Sequence, residues 1–194
     1  MGKKDRLRAL AESAGQPPAG PVQCACLIHG NVYSWDYVDR LYNMLSRHLS
    51  RGIQLHVYTE ADRKVPEHMI KHELKDLRVS GLRKGWWYKL QLFNNKHYQG
   101  PLLYFDLDTV ITDNIDWITH QPLDYFWAPR DFKRLWSPNH VGINSSVMWW
   151  DTAKFSNVWH TFREQDFGMI QRRYPGDQDF ISDVISQDRR RFLD

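Results

Sequence analysis

Two aspartates, Asp106 and Asp108, come directly after an apolar run at residues 102–105. A short apolar run behind a glycine and a proline is typical of a strand buried on both faces. Side chains two residues apart share one face of a strand, so the two carboxylates are expected to project together. Close carboxylates repel and resist losing water, and a divalent cation removes both costs, so the pair predicts a site for Mg²⁺ or Mn²⁺. The alternative is a solvated turn whose aspartates accept backbone hydrogen bonds.

Two further polar clusters lie at breaks between predicted elements, where functional sites tend to occur. Residues 142–148 place Asn144 among small residues, and this cluster could also be an ordinary turn. Residues 176–179 precede an apolar helix, and there Asp177 or Asp179 could simply cap the helix.

The hydrophobic pattern around these clusters predicts alternating strands and helices. A strand at 22–28 precedes a helix that begins after Ser34 and ends near Gly52, and a strand follows at 53–58. This order favours parallel strands covered by helices, so we predict a three-layer α/β/α fold with a mostly parallel, mixed sheet. The remaining predictions are strands at 77–79, 127–129 and 146–150, helices at 86–94, 155–162 and 180–185, loop or short helix at 59–76 and irregular structure at 117–126.

Composition predicts one soluble globular domain. The chain has 194 residues, of which 42% are hydrophobic and 25% are charged. The net charge of +3 gives no basis for expecting nucleic acid as a partner, and no apolar run reaches the length of a transmembrane helix. Cys24 and Cys26 share a predicted strand and are expected to be buried free thiols.

Residues 1–20 are predicted to be a disordered tail, and residues 21–194 to form the domain. The tail is charged and then rich in proline and glycine, and it lacks the apolar stretch of a signal peptide, so we expect a cytoplasmic protein. Its basic start at residues 3–8 allows peripheral contact with an anionic membrane, and a solvated tail is the alternative.

Taken in order, the three polar clusters resemble the motifs of one enzyme family. An apolar strand ending in Asp-Leu-Asp, then Asn-Ser-Ser-Val-Met at 144–148, then Gly-Asp-Gln-Asp at 176–179 look like the glycosyltransferases of the GT-A fold. Within that fold the chain is most similar to the glycogenin-like retaining group and its bacterial relatives. Residues 87–90, Trp-Tyr-Lys-Leu, also look like the family's basic residue before the aspartate pair. The resemblance covers roughly residues 22–185.

The resemblance implies a role for each matching position. Asp106 and Asp108 would hold Mn²⁺ or Mg²⁺, and the ion would bind the diphosphate of a nucleotide-sugar donor, with a UDP-sugar as the first expectation. Lys89 would add positive charge near the diphosphate or the sugar. Asn144 would hydrogen-bond the donor sugar or the acceptor, which would be a glycan, a protein or a lipid.

The resemblance also implies a catalytic role for the third cluster. Asp177 would bind hydroxyl groups of the donor sugar, and Gln178 would lie near the anomeric carbon, opposite the leaving group. The loop with His29 and Asn31 would contact the nucleotide, although an ordinary strand-to-helix turn is the alternative there. The implied activity is a metal-dependent, retaining glycosyl transfer of the hexosyltransferase kind.

The chain departs from the family at its end, and two other functions stay open. Glycogenin-like enzymes carry a C-terminal segment with a histidine that ligates the metal, so residues 187–194 predict a shortened domain. Arg189–Arg191 could face phosphate or form a solvated basic tail. A non-catalytic nucleotide-sugar-binding protein is one alternative function. The other is a phosphatase of the haloacid-dehalogenase type, in which Asp106 would be the nucleophile and Asp108 an acid or base.

Overall fold

Seven strands form one mixed sheet in the computed structural model, which describes residues 20–75 and 85–193. The strands are β1 (Val22–Leu27), β2 (Ile53–Thr59), β3 (Ile70–Glu73), β4 (Pro101–Phe105), β5 (Phe126–Ala128), β6 (Val147–Asp151) and β7 (Arg190–Phe192). Their order across the sheet is β3-β2-β1-β4-β6-β5-β7. Strand β6 runs antiparallel to its neighbours β4 and β5, and the other pairings are parallel. The predicted mostly parallel, mixed sheet is therefore confirmed.

Helices cover both faces of this sheet. The α-helices are α1 (Trp35–His48), α2 (Asp116–Thr119), α3 (Asn157–Glu164), α4 (Phe167–Arg173) and α5 (Asp177–Val184). In the part of the chain that the structure describes, 3₁₀ helices lie at Gly85–Phe93, Phe132–Leu135 and Gln187–Arg189. Within the described ranges, no helix has the length and apolar character needed to cross a membrane.

Strand β4 separates two hydrophobic cores, because its side chains alternate between the faces of the sheet. Leu103 and Phe105 pack into the core that α1 covers. Leu102 and Tyr104 pack into the core formed with α3, α4, α5 and the Gly85–Phe93 segment. The three-layer α/β/α prediction is thus confirmed, and Asp106 continues the face of Leu102 and Tyr104.

Most predicted elements lie within a residue or two of the observed ones, and three differ in kind. Strand β3 occupies a stretch predicted as loop or short helix, because a polar edge strand carries little apolar signal. The helix predicted at 86–94 is a 3₁₀ helix. The segment at 117–126 begins inside helix α2 instead of being irregular throughout. The strand predicted at 77–79 and nearly all of the predicted tail, residues 1–19, lie outside the described residues.

The C-terminal arginines adopt neither of the two predicted arrangements. Arg189 ends the 3₁₀ helix Gln187–Arg189, whereas Arg190 and Arg191 lie in strand β7, which pairs with β5. Arg190 is buried and donates to the Val141 carbonyl, while the Arg191 guanidinium lies over the Tyr125 ring. Their role is to hold the edge of the sheet, because their long side chains cover apolar surface while the charged ends find partners. Cys24 and Cys26 are free and fully buried, as predicted.

A histidine chain joins strands β1, β2 and β3. The His56 Nε2 lies 2.8 Å from the Gln23 Oε1, and the His56 Nδ1 lies 2.8 Å from the His72 Nε2. The amide oxygen can only accept, so His56 carries its proton on Nε2 and His72 donates to Nδ1. The His97 ring stacks on His72, and Tyr58 stacks on both. Burial lowers the pKa of His56 and of His72 from 6.5 to about 4.

We expect acid to destabilise the protein through this chain. The pKa values of His56 and His72 are lower in the folded state, so the unfolded chain binds protons first as the pH falls. Their stabilisation is present above pH 6.5 and is lost as the pH falls toward 4. Chemical unfolding across this range measures the loss, and His72→Gln should reduce its pH dependence, whereas the exposed His160→Gln should not. Identical pH profiles for wild type and His72→Gln would contradict the expectation.

Candidate functional site

The three polar clusters meet in one cleft at the carboxyl ends of β1 and β4. This is the edge at which open α/β sheets bind ligands. The cleft has a volume of about 790 Å³. Its predicted members are His29, Lys89, Asp106, Asp108, Asn144, Asp177 and Gln178. Asn31 is exposed and is not among the residues that line the cleft.

Lys89 connects all three clusters inside the cleft. Its ammonium lies 2.8 Å from each oxygen of Asp106 and 3.9 Å from Asp177. Ser145 completes the contact, because its hydroxyl lies 3.2 Å from the ammonium and donates to Asp177 at 2.7 Å. The Tyr104 hydroxyl donates to Asp106 at 2.6 Å. Lys89 thus neutralises charge on two aspartates that lie far apart in the sequence.

Packing of the Gly85–Phe93 segment aims Lys89 at the cleft. Trp87 is buried, and its ring lies 6.3 Å from the Phe162 ring and 6.4 Å from the Phe180 ring, centroid to centroid. Residues three apart in a 3₁₀ helix eclipse each other, so Trp86 and Lys89 point the same way and both line the cleft. The buried Trp87 therefore fixes the position of the Lys89 ammonium.

Burial sets the protonation of this network. Desolvation raises the pKa of Asp177, and the nearby Lys89 charge and the Ser145 hydrogen bond oppose that rise. Burial and the Asp106 carboxylate hold the pKa of Tyr104 well above its usual range. Tyr104 therefore stays protonated at neutral pH and remains a hydrogen-bond donor to Asp106.

Asp108 differs from Asp106 in its surroundings. It is exposed and accepts a hydrogen bond from the Tyr33 hydroxyl at 3.0 Å. The pKa of Tyr33 is raised by burial and by this hydrogen bond, so the tyrosine remains a donor. The alternative of a solvated turn therefore describes Asp108, which faces solvent, and does not describe Asp106, which contacts Lys89 and Tyr104.

The donor set fits a hard divalent cation that keeps most of its water. Asp106 and Asp108 offer carboxylate oxygens on one rim, and Mg²⁺ or Mn²⁺ commonly takes one or two protein carboxylates together with waters and phosphates. Within residues 20–75 and 85–193, no group of three or more His, Cys, Asp or Glu side chains is placed to hold a metal ion. A cation here would share Asp106 with Lys89.

The loop that follows β1 places His29 against a glycine. A Cβ on Gly85 would lie 1.9 Å from the His29 ring, so the ring can occupy this position only because residue 85 has no side chain. The His29 and Tyr88 ring centroids are 5.1 Å apart. Burial lowers the pKa of His29, and the neutral ring can both donate and accept.

The first turn of α5 presents Asp177 and Gln178 to the cleft. Gly176 is the N-cap residue of this helix, so the alternative in which Asp177 or Asp179 serves as the cap is wrong. Asp177 instead accepts from Ser145, and Asp179 accepts from the Lys133 ammonium at 3.1 Å. These two carboxylates therefore link the helix to neighbouring elements.

Sequence reasoning missed several residues that line the cleft. They are Tyr33, Trp86, Tyr104, Lys133 and Ser145. Two of them had a signal in the sequence. Tyr104 lies two residues before Asp106 on the same strand face, and Ser145 belongs to the second polar cluster. Lys133 follows a strand of only three residues and had no such signal.

Comparison with known proteins supports the fold and leaves the family open. No protein-family model matches the chain, and no curated protein matches it. Solved structures with a similar fold include glycosyltransferases. They include the glycosyltransferase GlyE of Streptococcus pneumoniae TIGR4, with a TM-score of 0.63 and 13% identity over 91% of this chain. Its apo form gives a TM-score of 0.63 and 15% identity over 90% of this chain. The chain spans about half of these proteins, 46% and 45%.

Proposed function

We propose that the protein is a glycosyltransferase of the GT-A, glycogenin-like kind that moves a sugar from a nucleotide-diphosphate donor to an acceptor. The observation that carries this proposal is the meeting of Asp106, Asp108, Lys89, Asp177 and Gln178 in one cleft at the carboxyl edge of the sheet. Asp106 and Asp108 offer carboxylates for a cation, and Asp177 and Gln178 in the same cleft offer groups suited to sugar hydroxyls. The glycosyltransferase fold of the structural neighbours is consistent with the proposal.

The donor diphosphate would lie beside Asp106 and Asp108. A bound Mn²⁺ or Mg²⁺ would supply Lewis-acid chemistry that offsets charge on the departing nucleoside diphosphate. Lys89 adds a second positive charge at the same place, because its ammonium lies 2.8 Å from Asp106. Such charge is useful at the leaving group because negative charge develops there as the sugar bond breaks.

The sugar would lie between the cation and the start of α5. Asp177 accepts hydrogen bonds from donor-sugar hydroxyls, and Asn144 hydrogen-bonds the donor sugar or the acceptor. Gln178 lies beside the anomeric carbon, on the face away from the leaving group, which suits transfer with retention. We propose a UDP-sugar as the donor and a glycan, a protein or a lipid as the acceptor.

A thermal-shift screen tests this function. Nucleoside diphosphates and nucleotide sugars are added with and without Mn²⁺, and a ligand present at about 100 times its Kd should add about 2.7 kcal/mol of stability. We expect UDP or a UDP-sugar to raise the melting temperature only when Mn²⁺ is present. No shift with any nucleotide would contradict the proposal.

Turnover assays separate the alternatives. Binding of a nucleotide sugar without release of the sugar, even with added acceptors, would identify a non-catalytic binder. Release of inorganic phosphate from simple phosphate esters, without nucleotide-sugar binding, would identify the phosphatase.

A further inference from the structure

A buried carboxylate, Asp131, lies behind Gln178. Asp131 is 5% exposed, and its Oδ2 accepts from the Gln178 Nε2 at 3.2 Å and from the His140 Nε2 at 3.0 Å. Its Oδ1 accepts from the Lys133 backbone N–H at 3.0 Å. These contacts hold Asp131 from both sides.

This contact determines which end of the Gln178 amide faces the cleft. An ionised carboxylate can only accept hydrogen bonds, so the Gln178 amino group must turn toward Asp131. Gln178 also lines the cleft. We propose that Asp131 is a positioning residue that keeps the Gln178 carbonyl oxygen, and not its amino group, directed at the bound sugar.

A second contact holds the segment 131–133 against the first turn of α5. The Lys133 ammonium lies 3.1 Å from Asp179 and 3.7 Å from Asp131. The segment 131–133 is therefore joined to the first turn of α5 both by Asp131 with Gln178 and by Lys133 with Asp179. Because two residues of the segment each bind a residue of the turn, the turn can neither slide nor rotate freely. The amide of Gln178 is thus fixed in place as well as in direction.

The chemical consequence rests on the proposed function. Positive charge develops at the anomeric carbon as the sugar leaves the diphosphate, and the negative end of an amide dipole stabilises it. The amino end would repel the same charge. A ground-state sugar carries little of this charge, so correct orientation should affect kcat more than KM.

Exchanging the hydrogen-bond donor and the hydrogen-bond acceptor between positions 131 and 178 tests the orientation of the Gln178 amide. In Asp131→Asn the amide can present either end, and in Gln178→Glu two carboxylates face each other, so each variant should lose roughly tenfold or more in kcat. The double variant carries both changes, so its new asparagine side chain donates to its new glutamate side chain and leaves a carboxylate oxygen facing the cleft. We therefore expect the double variant to be more active than both single variants, with similar KM values throughout.

The opposite result has a clear meaning. If the amino group of Gln178 were the functional end, the double variant could not recover, because the carboxylate introduced by Gln178→Glu has no donor. A double variant no more active than the weaker single variant would overturn the proposal. The matched control is His140→Gln, which changes another partner of Asp131 and leaves the contact with Gln178 in place.

A readout without turnover separates this proposal from the proposed function. The side-chain ¹⁵N resonance of Gln178 is assigned by its disappearance in Gln178→Glu. We expect Asp131→Ala to shift this resonance and to speed exchange of its protons with solvent, whereas His140→Gln should not. If Asp131→Ala does not fold, Asp131→Asn provides the same comparison. A Gln178 resonance unaffected by either change would overturn the positioning role, whether or not the protein transfers sugars.

Discussion

Asp108→Asn is expected to abolish Mn²⁺-dependent binding of UDP while leaving the fold intact. Asp108 is exposed and accepts a hydrogen bond from the Tyr33 hydroxyl. An asparagine side-chain oxygen can accept the same hydrogen bond, so little stability should be lost. The substitution removes one of the two negative charges that would hold the cation. We expect UDP affinity in Mn²⁺ to fall by roughly 100-fold, or about 2.7 kcal/mol, measured by calorimetry.

The control for this experiment is Asp113→Asn, which removes a nearby exposed carboxylate outside the cleft. Asp106 is a less suitable position for the test, because its substitution would also break the pair with Lys89 and alter stability. Equal UDP affinity in wild type with and without Mn²⁺ would show that the carboxylates do not hold a metal–diphosphate complex.

Lys89→Met is expected to cause the largest loss of stability among single substitutions in the cleft. The lysine is 8% exposed and Asp177 is 4% exposed, so the substitution leaves a buried carboxylate without its cation. Removing one partner of a buried ion pair costs about 3–5 kcal/mol. Urea unfolding measures this loss, and nucleotide binding should weaken with it.

Two further variants test the cause of that loss. Lys154→Met removes an ion pair with Asp124 in which both side chains are well exposed, so it should cost far less stability than Lys89→Met. The double variant with Lys89→Met and Asp177→Asn should recover much of the lost stability, because the unpaired charge is gone. A double variant as unstable as Lys89→Met would mean that the lysine stabilises through packing alone.

The pH dependence of Lys89→Met has a defined sign. Desolvation already raises the pKa of Asp177, and loss of the Lys89 charge removes a cause that lowers it. A group whose pKa is raised in the folded state stabilises at low pH, and this stability is lost as the pH rises through that pKa. Lys89→Met should therefore be closer to wild type in stability at about pH 5 than at about pH 8.

Local patterning in the sequence was enough to predict the main elements and the strand end at which Asp106 lies. The alternation of apolar strands and an amphipathic helix over 22–58 specified the first βαβ unit, because those periods depend on local geometry. The apolar run at 102–105 specified a central strand, and its end placed Asp106 in the cleft. The apolar residues after Gln178 specified a helix whose first turn could face a ligand.

The pairing of the charged residues, by contrast, depends on the assembled tertiary structure. The contacts of Lys89 with Asp106 and Asp177, and that of Asp131 with Gln178, join residues far apart in the chain, and no local period encodes such pairs. The edge strands β3 and β7 were also missed. They are short and polar, and they form because a neighbouring strand offers unpaired backbone groups, which is a property of the assembled sheet and not of the segment itself.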